Sequence, residues 1–125
     1  MNQRLIARLA FAAYALLLFT LTHIPNVKIE AKWRPDLLMH LVAFGGWTFL
    51  LILTGFFGPV FSFRNIASAA ALGVAYGAID EALQAIPFIH RHAAVDDWLA
   101  DCLGVALGCA AALILRFLWR SDAQA

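Results

Sequence analysis

Residues 37–63 read LLMHLVAFGGWTFLLILTGFFGPVFSF, and His40 is the one ionisable side chain between Asp36 and Arg64. Crossing the hydrocarbon of a bilayer takes about 20 helical residues at about 1.5 Å each. This stretch meets that length by itself, so it decides the solvent of the chain. Three more segments are almost free of charge: Leu9 to Thr22, Asn65 to Ile79 and Cys102 to Leu115. Each is too short to span unless its flanking polar residues enter the membrane. That shortfall is itself informative, because it draws Asp80, Glu81, Asp97 and Asp101 below the membrane surface.

The breaks between these segments define four helices. Ile24-Pro25-Asn26 ends the first, and Pro35 with Asp36 suits the start of the second. Gly55-Phe56-Phe57-Gly58-Pro59 ends the second, Ser62-Phe63-Arg64-Asn65 opens the third, and Pro87 closes it. Ala93-Ala94-Val95-Asp96 leads into the fourth. The expected fold is all-α, one domain over residues 1–125, with transmembrane helices at about 5–23, 37–57, 65–85 and 97–119. No strand alternation or internal repeat competes with it.

Composition agrees. The 125 residues are 63% hydrophobic and 14% charged, against about 45–50% and about 25% in soluble domains. A chain this short would expose much of that excess to water. A soluble enzyme, a disordered tail and a nucleic-acid binder are excluded, the last also by a net charge of only +1. Arg4 and Arg8 precede the first apolar run, and no small-x-small cleavage site ends it, so it reads as an uncleaved signal anchor. Five basic residues (Arg4, Arg8, Arg64, Arg116, Arg120) against four (Lys28, Lys32, Arg34, Arg91) favour cytoplasmic termini. Cys102 and Cys109, about 10 Å apart on one helix, are packing residues rather than a disulfide. The tryptophans Trp33, Trp98 and Trp119 form an ordinary interfacial belt.

The remaining polar residues gather on one membrane face. With four helices, the first and third loops share that face. The helix ends meeting there carry Asp36 and His40, then Asp80, Glu81 and Gln84, then Arg91, Asp96, Asp97 and Asp101. Counting about 20 residues from Arg64 and from Arg116 puts Glu81 and Asp101 a turn or more below the surface, level with His40. Gly73, Gly77, Glu81 and Gln84 share one stripe, as do Asp97, Asp101, Gly104 and Gly108. The glycine seams allow close helix approach, which would turn the carboxylates inward. Intramembrane charges mark functional sites by default; the less favoured alternative is structural, with Arg91 pairing Glu81 or Asp97 to hold a loop. His90 and His92 with Asp97 and Glu81 suit a zinc or manganese ion in ligand type. Arg91 itself suits bidentate capture of an anion, and that role is preferred for this loop.

These residues resemble the VanZ-like family of small bacterial membrane proteins. The resemblance lies in Asp36-x3-His40, in Glu81 and Gln84 followed by Pro87, and in Arg91, Asp97, Gly104 and Gly108. The chain departs from the family pattern at Leu37, Phe44 and Asp101, and in the Pro87–Arg91 spacing. The resemblance implies a multi-helix membrane protein linked by family name to low-level teicoplanin resistance. No reaction or cofactor comes with it, and a metal is left open.

The combined expectation is an inner-membrane protein with an interfacial polar pocket. It would bind the anionic head group of an envelope lipid or lipid-linked cell-wall precursor, with processing of that group left open. His40, Glu81, Asp97 and Asp101 would carry the chemistry, His40 being oriented by Asp36, and Asp36, Gln84 and Arg91 would hold the ligand. The alternatives are a non-enzymatic accessory or partner-docking protein and, less favoured, a small proton-coupled transporter.

Overall fold

A computed structural model describes residues 2–24, 35–87 and 94–122, with side chains through Trp119. It contains four helices: α1 (Gln3–Thr22), α2 (Pro35–Thr54), α3 (Phe63–Gln84) and α4 (Val95–Asp122). All four are long and apolar enough to cross a membrane. The described residues include no strand. The chain is an all-α bundle of four membrane-spanning helices, as the charge-free segments indicate.

The outer surface confirms the solvent. Leu9, Leu16, Val42, Ile79, Leu103 and Phe117 are all exposed, on every helix. Apolar surface this continuous around a small bundle belongs in lipid.

Local signals set the helix ends. Pro35 opens α2 with Asp36 in its first turn, where a carboxylate complements the helix dipole. The helix ends at Thr54, earlier than the expected residue 57. Gly55 follows in the left-handed region at φ 62°, and a glycine there terminates a helix at no Cβ cost. The Thr54 hydroxyl bonds back to the Leu51 carbonyl at 2.6 Å. Ser62 caps α3, its Oγ accepting from Asn65 N at 3.3 Å.

The helices run up, down, up and down, with α2 in the centre and most closely packed on α4. The reason is glycine. A Cβ on Gly104 would fall on the Leu41 carbonyl and lie 3.0 Å from Gly45 N. One on Gly108 would lie 2.6 Å from the Gly45 carbonyl oxygen. The two backbones therefore touch directly, as the seam predicts. On α3, Gly77 lies against Asp101, a Cβ there falling 3.2 Å from the Asp101 side chain. The mid-bundle is filled by Phe44, Trp47 and Tyr76, with ring centroids 5.5 Å (Phe44–Tyr76) and 5.2 Å (Trp47–Tyr76) apart. Helix α1 is peripheral: Leu18 is its one buried residue. It is pinned by Phe11 on Trp47 and by the Tyr14 hydroxyl donating to the Ala43 carbonyl at 3.0 Å.

Candidate functional site

The ends of α2, α3 and α4 that share a membrane face bring His40, Glu81, Asp97 and Asp101 together. The α2–α4 backbone contact sets His40 opposite Asp101. His40 Nδ1 and Asp101 Oδ1 share a hydrogen bond of 2.8 Å. The other ring nitrogen, Nε2, faces Asp97 Oδ2 at 3.9 Å. Glu81 Oε1 lies 4.0 Å from His40 Nδ1.

These groups are withdrawn from water. Asp101 is fully buried and Glu81 is 5% exposed. His40 and Asp97 are a little more open, at 14% and 16% side-chain exposure. Glu81 and Asp101 each have one oxygen engaged and one left over. Glu81 Oε2 accepts from Ala94 N at 3.0 Å, tying the entry of α4 to α3. Glu81 Oε1 and Asp101 Oδ2 are buried and accept no hydrogen bond. Leaving a buried acceptor unmade is costly, so these two oxygens mark unused bonding capacity inside the cluster.

A second layer lies beside it, and the sequence reading did not include all of it. Asp80 is fully buried. Its Oδ1 accepts from the Thr22 hydroxyl at 2.9 Å and its Oδ2 from the Gln84 amide at 2.9 Å. His23 stands 3.7 Å from the same carboxylate and contacts the Phe19 carbonyl at 2.9 Å through Nδ1. Its Nε2 is buried without a hydrogen-bond partner. Gln84, expected to hold a ligand, thus bonds Asp80. One signal for Asp80 was available: it lies seven residues after Gly73 and four before Gln84, on the buried stripe of α3. No spacing rule pointed to Thr22 and His23.

Between α1, α2 and α3 lies a cavity of about 140 Å³. Leu18, Leu21, Met39 and Ala43 form its walls, Phe44 its inner end, and Thr22, Asp36, His40 and Gln84 its polar side. Leu21 and Met39 are exposed on the lipid-facing flanks of their helices, so the cavity borders the bilayer. Asp36 therefore shares this cavity with His40, while the carboxylate bonded to the His40 ring is Asp101. Arg91, His90 and His92 lie outside the described residues.

The fold and site define a class: a four-helix membrane bundle with a buried acid–histidine cluster at one end. No family model, curated protein or solved structure matches the chain. Its functional reading therefore rests on the geometry and chemistry of the cluster.

Proposed function

We propose that the chain is a VanZ-like protein of the bacterial inner membrane whose polar end binds the anionic head group of an envelope lipid or lipid-linked precursor. The observation that carries this reading is the meeting of His40, Glu81, Asp97 and Asp101 beside a cavity with hydrocarbon walls. Such a cavity suits an amphiphile: apolar walls take the first carbons of a chain, and the polar side takes the head. With both termini cytoplasmic, the cluster belongs to the outer leaflet.

In this reading Arg91, three residues before Ala94 in sequence, takes the phosphate through its guanidinium fork. His40, held by Asp101, moves a proton. Glu81 and Asp97 act as acid/base groups or as ligands of an ion. Turnover of the head group is the enzymatic form of the reading, and retention without turnover is the accessory form. The packed Phe44, Trp47 and Tyr76 rings below the cluster disfavour a proton-coupled transporter, which needs polar groups through the midplane.

The test is to purify the full chain in detergent, identify the lipids that remain bound, and incubate it with a bacterial lipid extract. Enrichment of phosphate-bearing lipids over neutral ones supports the reading, and a new lipid product makes it an enzyme. If R91A, E81A and D97A all leave retained lipids and products unchanged, the reading is wrong.

A further inference from the structure

We infer that His40, Glu81 and Asp97 form a binding site for one divalent transition-metal ion of the zinc or manganese type. One donor atom from each lies within 4.8 Å of the other two. Donors around such an ion, at bond lengths of about 2.0–2.2 Å, stand roughly 3–4 Å apart, so a side-chain adjustment of about 1 Å closes the set. One imidazole and two carboxylates are the ligand types such ions take.

Two further observations point to a cation beyond the mere clustering of acids. The first is Glu81, more than nine-tenths buried, whose Oε1 lies beside the imidazole without a hydrogen bond. The second is the geometry of the His40 ring. Its Nδ1 is engaged by Asp101 Oδ1 at 2.8 Å, and its other nitrogen, Nε2, is turned toward Asp97 Oδ2 at 3.9 Å. A carboxylate donating orientation to a histidine from behind is the arrangement that supports metal-ligating imidazoles. Asp101 is therefore a positioning residue for the ion, and His40, Glu81 and Asp97 are its ligands.

This inference concerns the cluster alone and does not rest on the lipid reading. The loop histidines His90 and His92, favoured by ligand type in the sequence, are not needed for it.

The experiment uses untagged full-length protein in detergent, titrated with Co²⁺ and followed by its visible d–d absorption. Zn²⁺ competition and metal-to-protein ratios after dialysis complete it. The expected result is saturable binding of one ion per chain, displaced by Zn²⁺. E81Q and D97N should each weaken binding at least about tenfold, and D101N by about 10–100-fold through loss of ligand orientation. C102A/C109A should bind as the parent does. Absence of saturable Co²⁺ binding by the parent overturns the proposal, whether or not the variants fold. So does unchanged affinity in folded E81Q and D97N, or loss of binding in C102A/C109A. Retained lipid without metal binding would leave the lipid reading standing and sink this one; metal binding without lipid would do the reverse.

Discussion

The bundle buries polar groups at both ends, and the two ends treat them differently. At the α2–α3 turn, Asn65 is fully buried and both ends of its amide are engaged. Its nitrogen donates to the Ile52 and Val60 carbonyls, each at 2.7 Å, and its oxygen accepts from Phe57 N at 3.2 Å. Arg116 closes the same end, donating to the Phe61 carbonyl at 3.0 Å and covering the Phe63 ring. At the other end, three side-chain atoms are buried without a hydrogen bond: His23 Nε2, Glu81 Oε1 and Asp101 Oδ2. The fourth such atom among the described residues, Thr48 Oγ1, is an uncharged hydroxyl. A polar group whose bonds are all made holds structure together. Titratable groups kept dry with bonds to spare are held for something else.

Substitutions can break that contrast. The largest loss of stability belongs to Asn65→Ala at the closed end. It strands two carbonyls and an N–H away from water, at about 1–3 kcal/mol for each group left unsatisfied. Reversible unfolding in mixed micelles should show several kcal/mol lost while metal and lipid binding persist in the folded fraction. Next comes Gly104→Ala, which forces a methyl against the α2 backbone. Overpacking of this kind costs about 1–3 kcal/mol. It should also part His40 from Asp101, so stability and cobalt affinity fall together. Tyr14→Phe removes one helix-to-helix hydrogen bond and should cost about 0.5–1.5 kcal/mol in the same assay. The smallest stability effect is expected of Glu81→Gln, which removes a charge from the membrane interior while keeping its shape. Stability should hold or rise, yet cobalt binding should weaken at least about tenfold. A large destabilisation by E81Q, with binding intact, would make the two ends alike and remove the contrast.

Much of this was legible in the residues. Charge-free lengths gave four helices, and the Gly104-x3-Gly108 spacing gave the face of α4 that meets α2. Helical spacing also turned Glu81, Asp97 and Asp101 inward, because a helix fixes its own faces. Relations between helices were less readable. Asp36 stands four residues before His40, so local spacing made it the orienting carboxylate, yet Asp101 from α4 bonds the ring. Which of two acids reaches the imidazole depends on helix rotation and depth, which no single-helix pattern encodes. The Thr22–Asp80 bond was hidden for a similar reason. With one buried residue, α1 has no strong stripe to show which neighbour it meets.

The unequal helix lengths have a consequence for membrane thickness. Helix α4 has 28 residues against 20 in α2, and at about 1.5 Å per residue it exceeds a hydrocarbon layer of about 30 Å. Glycine contact locks it to α2 near the cluster, where both helices begin. The excess therefore lies at the far end, with Arg116 and Trp119. Hydrophobic mismatch would be absorbed there, by tilt. Bilayers of different thickness should then shift the far end of α4 while the His40 cluster keeps its depth below the opposite surface.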